Sequence, residues 1–81
     1  MATKSDLIEW LAESLRALGG SGSIVQLCKH ICAHHEPELR RSGDLFFTWQ
    51  YDIRWAAHRL RKKGRMHPES ASLKGLWELA R

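Results

Sequence analysis

Apolar residues recur every three or four positions in three stretches of the chain, which predicts three amphipathic helices. The first follows Thr3-Lys4-Ser5-Asp6, a capping-box pattern in which the Thr3 side chain accepts from a backbone amide and Asp6 reaches back. Gly19 and Gly20 end this helix, because glycine readily adopts the left-handed conformation of a helix C-terminus. Its apolar stripe comprises Leu7, Ile8, Leu11, Leu15 and Leu18, with Trp10 near its edge.

The second helix is predicted over residues 24–35. Ser23 and Gln26 form a second capping box at its start. Pro37 is expected either to stop this helix or to begin a separate short turn over residues 37–41, and residues 42–44 read as a turn. The apolar face comprises Ile24, Leu27, Cys28, Ile31 and Cys32.

A third helix is predicted to begin near Thr48, as its cap, and to close at Gly64. Beyond Gly64 the helical spacing of apolar residues ends. Two short extended segments are predicted there, Met66–His67 and residues 76–79, separated by a polar loop. This pattern predicts a β-hairpin, which must pack on the helices to be stable. The face of the third helix expected in the core comprises Phe46, Trp49, Ile53, Ala56, Ala57 and Leu60.

The order of these elements predicts a mainly α fold with a small β-hairpin. Three to four helices followed by a C-terminal two-stranded wing is the arrangement of a winged helix-turn-helix. We expect residues 1–81 to form a single domain, since a chain of this length has only enough residues for one small core.

Positive charge is concentrated in one third of the chain. The net charge is +4, but residues 40–65 carry eight Lys or Arg against two Asp, whereas residues 1–39 carry three against five Asp or Glu. Such a segment is typical of a surface that meets a polyanion, and a merely solvated basic helix is the alternative.

The side of the third helix opposite its apolar face carries the side-chain types that proteins use on duplex DNA. We therefore expect residues 48–63 to be a recognition helix in the major groove of double-stranded DNA, with the 66–79 hairpin as the wing. Gln50, Tyr51 and Arg54, in its first turns, are the expected base readers, and the later cations are expected on phosphates. The predicted DNA-binding residues are Gln50, Tyr51, Arg54, His58, Arg61, Lys62, Lys63, Arg65 and Lys74.

Residues in the second half of the chain follow a pattern that is known from a protein family. In order along the chain they are Arg54, Trp55-Ala56, Leu60, Lys62-Lys63-Gly64 and the final run 75–79, GLWEL. This pattern resembles the closing half of the amino-terminal domain family of Mrr restriction enzymes. The resemblance implies a DNA-binding winged helix that serves as the targeting module of a nuclease. It also implies that Trp55 packs against the wing, near Trp77, instead of touching DNA.

The chain departs from that family at Arg65, where an apolar residue is usual, and at Ala80, where threonine is usual. The 81 residues leave no room for a metal-carboxylate nuclease core, so we do not carry over the cutting activity. No spaced nucleophile, base and acid appear either, and an enzyme is not expected. The protein is expected to act as a regulator or a targeting module.

Cys28 and Cys32 with a nearby His offer part of a zinc site, but His30 and His34 are expected to point away from the thiols, so neither a metal nor another cofactor is predicted. No apolar run reaches the ~20 residues that span a bilayer and no secretory signal appears, so a cytoplasmic protein is expected. A homodimer remains open, as does a second function in which the basic, aromatic face docks an acidic protein.

Overall fold

The computed structural model describes residues 2–68 and 75–80, which form three helices and a two-stranded antiparallel sheet. The predicted mainly α fold with a small sheet is confirmed, and it is compatible with a winged helix-turn-helix, although one strand lies between α1 and α2. The tip of the predicted wing, including Lys74, lies outside the described residues. The elements are α1 (Asp6–Ala17), β1 (Ser21–Ser23), α2 (Ile24–Arg40), α3 (Leu45–Lys62) and β2 (Leu76–Glu78).

The core lies where α1 packs against α3 and α2, and it contains the apolar stripes predicted for the three helices. Leu18 is the exception: it follows the last residue of α1 and is 39% exposed. Leu39 and Met66, which the periodicity did not place in the core, are both buried. The largest fully buried side chains include Leu7, Leu11, Leu15, Leu27, Ile31, Leu39, Ile53 and Leu60.

The two predicted capping boxes differ in outcome. At α2, Ser23 Oγ accepts from the Gln26 amide and Gln26 Oε1 accepts from the Ser23 amide, so the predicted box is complete. At α1, Asp6 Oδ2 accepts from the Thr3 amide as predicted. The Asp6 amide, however, donates to the backbone carbonyl of Thr3, so the reciprocal half of that box is made by the backbone.

The prediction that α2 ends before Pro37 is wrong, because α2 runs through Pro37 to Arg40 as one helix of 17 residues. Proline lacks the N–H that would bond the carbonyl four residues back, and this loss weakens a helix without forbidding it. Leu39 explains why the helix continues, since its side chain is almost fully buried and holds the last turn in the core.

The predicted start of α3 is also corrected. The helix begins at Leu45, with Asp44 as the N-cap residue, so Thr48 lies inside it. The Thr48 hydroxyl does not cap the helix and donates to Asp52 Oδ2 one turn later, at 2.8 Å. The earlier start is consistent with the half-buried Leu45 and Phe46, which pack against the core.

The sheet differs from the predicted hairpin in one strand. β2 is confirmed as the later extended segment, but it pairs along its length with β1, which the sequence did not predict, in the register Ser21–Glu78, Gly22–Trp77 and Ser23–Leu76. The earlier predicted segment contributes a single bridge between Met66 and Leu79 and a bond from the His67 amide to the Glu78 carbonyl. β2 therefore lies between the start of the wing and a strand that precedes α2.

Candidate nucleic-acid interface

The face of α3 turned away from the core carries a continuous row of exposed side chains. Its members are spaced four, three, four and four residues apart, which places them along one side of a helix. At a rise of 1.5 Å per residue the row is about 22 Å long. We call this row the outer stripe; it comprises Phe47, Tyr51, Arg54, His58 and Lys62, all of them exposed.

The structure brings most of the predicted DNA-binding residues together on or beside the outer stripe. Gln50 is exposed on its flank, and Lys63 follows directly after the last turn. Among residues 2–68 and 75–80, no carboxylate forms an ion pair with Arg54, Lys62 or Lys63. These cationic groups are exposed, and no carboxylate in the described part of the chain compensates their charges directly.

Arg61 and Arg65 were predicted to hold phosphates, and the structure gives both of them contacts within the protein. Arg61 is half-buried; its Nε donates to the His67 carbonyl at 3.2 Å and its guanidinium lies 5.6 Å from the centre of the Trp77 ring. Arg65 donates to Glu9 Oε1 at 3.0 Å. These two arginines join the end of α3 to the sheet and to α1.

Trp55 is half-buried and packs against the core. Its ring faces a different neighbour from the one expected, however. Lys4 Nζ lies 4.6 Å from the ring centre, which places Trp55 against the segment that precedes α1. Trp77, the expected neighbour, is covered by Arg61 instead.

A shallow groove of about 450 Å³ lies between α2 and α3, directly beside Arg54 and Gln50. Its floor includes Cys28, and burial of this thiol raises its pKa, an effect that Arg54 opposes and Cys32 reinforces. Cys28 is therefore a protonated, weakly reactive thiol at neutral pH. The lining residues are Ile24, Val25, Cys28, Lys29, Cys32, Gln50 and Arg54.

The histidines of α2 that we weighed as metal ligands make contacts elsewhere. His35 stacks on Trp10 with ring centres 4.1 Å apart, and its Nε2 lies 3.0 Å from Glu13 Oε1. His30 Nδ1 is hydrogen-bonded to Ser14 Oγ at 2.8 Å. In the described part of the chain, no three His, Cys, Asp or Glu side chains converge as a metal site would require.

Phe47 is the residue of the outer stripe that sequence reasoning missed. It is 81% exposed, the highest value among the exposed large apolar side chains in the described residues. With a helix start at Thr48, Phe47 fell outside the predicted helix. Its spacing of four residues from Tyr51 is the sequence signal that would have placed it on the same helix face.

Comparisons of the chain with protein-family models, with curated proteins and with solved structures found no significant match. Within residues 2–68 and 75–80, none of the helices combines the length and apolar character needed to cross a lipid bilayer.

Proposed function

We propose that this protein binds double-stranded DNA, with α3 in the major groove. The observation that carries this proposal is the outer stripe. It places Arg54 and Lys62 on one exposed helix face without carboxylate partners among the described residues, beside Gln50 and Tyr51. Side chains of these types contact phosphates and base edges in the groove.

The dimensions of α3 suit this placement. An α-helix with its side chains is about 10–12 Å across, and the major groove of B-DNA is about 12 Å wide. The first turns of a recognition helix reach the base edges, so Gln50, Tyr51 and Arg54 are the readers in this arrangement. Lys62 and Lys63, at the other end of α3, contact phosphates.

The two arginines that contact the rest of the protein have a structural role in this proposal. Arg61 and Arg65 connect α3 with the sheet and α1, so they hold the recognition helix in place, and any phosphate contact they make is additional. The resemblance to the Mrr amino-terminal domains agrees with a winged helix that targets DNA, in a regulator or in a targeting module. Lys74 remains a predicted wing contact.

The test measures binding to a random-sequence duplex of about 16 base pairs at increasing salt concentrations, with fluorescence anisotropy as the readout. Affinity is expected to fall steeply with salt, because phosphate binding releases counterions. Lys62→Ala should weaken binding to all duplexes and lower the slope of log affinity against log salt by about 1, and Arg54→Ala should cost about 1–3 kcal/mol.

Arg16→Ala is the matched control, since it removes one exposed cation from α1 and leaves α3 unchanged. It should alter affinity far less than Lys62→Ala. Unchanged affinity in both α3 variants contradicts the proposal.

Docking of an acidic protein is the second candidate, and the exposure of Phe47 and Tyr51 favours it, since aromatic residues and arginine are enriched at protein interfaces. Amide NMR separates the two functions. Addition of duplex DNA at low salt should shift signals from residues 45–65 and the wing if DNA is the ligand. If no signals shift, the protein partner is favoured.

A further inference from the structure

Phe47 and Tyr51 form the first two positions of the outer stripe, and both are unusually exposed for aromatic residues. They are 81% and 78% exposed. The Phe47 ring has no polar atom, so it makes no hydrogen bond to a base edge or to phosphate. An apolar contact with a ligand would remove this ring from water and recover the free-energy cost of its exposure.

The position of Phe47 in α3 places it among the base-reading residues. It is the third residue of the helix, one turn before Gln50 and Tyr51 and two turns before Arg54. The half-buried Phe46 packs edge-on against it, with ring centres 5.1 Å apart, and the Arg40 guanidinium lies 5.3 Å from the Phe46 ring. Phe46 therefore supports the Phe47 ring, most of which remains exposed.

The major groove contains one apolar group that distinguishes base pairs, the C5-methyl of thymine. We propose that Phe47 reads a thymine methyl group, with Tyr51 extending the apolar contact along the groove. This inference rests on the proposed function, because it requires α3 to lie in the major groove. The cations on the same stripe, Arg54 and Lys62, favour a polyanion over an apolar protein surface.

The neighbouring side chains then specify the rest of the site. Gln50, one turn further along α3, suits the N6 and N7 edge of adenine, and Arg54 suits the O6 and N7 edge of guanine. The preferred duplex therefore contains thymine at the position under Phe47, with adenine and guanine at the adjacent positions on either strand.

The experiment removes the methyl group without changing base pairing. Duplexes of about 16 base pairs are enriched from a random pool for binding to the full chain, and each thymine of an enriched duplex is then replaced by uracil. Loss of the methyl group in contact should weaken binding by about fourfold, the value expected for one buried CH₂ group. The other replacements should have little effect.

Phe47→Ala should bind the thymine and uracil duplexes equally, because the apolar partner is gone. Leu18→Ala, which shortens an exposed apolar residue at the end of α1, should keep the full sensitivity to uracil. Far-ultraviolet circular dichroism checks that each variant retains its helices.

Four results overturn the inference, and they show which part of it fails. Equal binding of the wild-type chain to thymine and uracil duplexes, or uracil sensitivity retained by Phe47→Ala, removes the methyl contact and leaves DNA binding intact. If the random pool binds but no sequence is enriched, the protein does not read bases. Absence of binding at any salt concentration removes the proposed function itself.

Discussion

Ser42 joins two segments that are 40 residues apart in the chain. Its Oγ accepts from the Ala2 amide at 2.9 Å and donates to the Glu38 carbonyl. Ser42 is 5% exposed, so neither bond has ready access to water as a substitute. A single hydroxyl therefore satisfies a buried amide near the N-terminus and holds the turn between α2 and α3.

Replacing Ser42 by alanine should destabilise the fold by about 1–3 kcal/mol, because the Ala2 amide is left buried without an acceptor. For a domain of this size that corresponds to a fall in melting temperature of about 4–8 °C per kcal/mol. Ser5→Ala is the control, since Ser5 is exposed and makes no side-chain cap bond. Equal melting temperatures for the two variants would show that the Ser42 bonds contribute nothing.

The helix α2 shows how tertiary packing overrides a helix-breaking residue. Pro37 lies inside the helix and is exposed, while Leu39 two residues later is buried. The proline side chain therefore contributes no core packing to offset the hydrogen bond that it removes. The burial of Leu39 keeps the helix continuous.

Pro37→Ala should for this reason stabilise the protein, by about 1–2 kcal/mol. An interior proline costs a helix roughly 3 kcal/mol, and removing it recovers that cost. The substitution also loses roughly 0.4–1 kcal/mol, because proline restricts the unfolded chain. The expected gain is smaller than the difference because the native helix already accommodates part of the cost. Urea unfolding measures the change. Lys29→Ala, an exposed change on the same helix, should stay within about 0.5 kcal/mol; a drop in stability for Pro37→Ala contradicts the argument.

Trp77 connects parts of the protein that are distant in the chain. It lies in β2, pairs with Gly22 of β1, and is covered by the Arg61 guanidinium from α3. Only 9% of its surface is exposed. The Trp77 side chain therefore takes part in joining the sheet to α3.

Trp77→Ala should cost about 3–5 kcal/mol, which approaches the entire stability of a small domain, about 5–15 kcal/mol. Thermal unfolding followed by far-ultraviolet circular dichroism should show a single transition at a much lower temperature. Tyr51→Ala is the matched aromatic control, since Tyr51 is exposed, and it should change stability by no more than about 0.5 kcal/mol. A small effect of Trp77→Ala would mean that the sheet is not part of the cooperative unit.

Local sequence signals were sufficient for the features that depend on neighbours within about four residues. Leu7, Leu11 and Leu15 were predicted on one buried face because helical spacing fixes which side chains share a face. The Ser23 box was predicted because its two bonds join residues three apart. The exposed basic side of α3 followed from the same periodicity.

The tertiary structure alone decided the features that depend on distant residues. β1 is Ser-Gly-Ser, which has no strand signal of its own, and it becomes a strand because β2 supplies its hydrogen-bonding partner. Arg65 donates a hydrogen bond to Glu9, 56 residues earlier, and no local sequence pattern encodes this pairing. The sequence by itself thus determined the helices and the sign of the charge on α3, whereas long-range contacts decided which cations remain free and where the sheet forms.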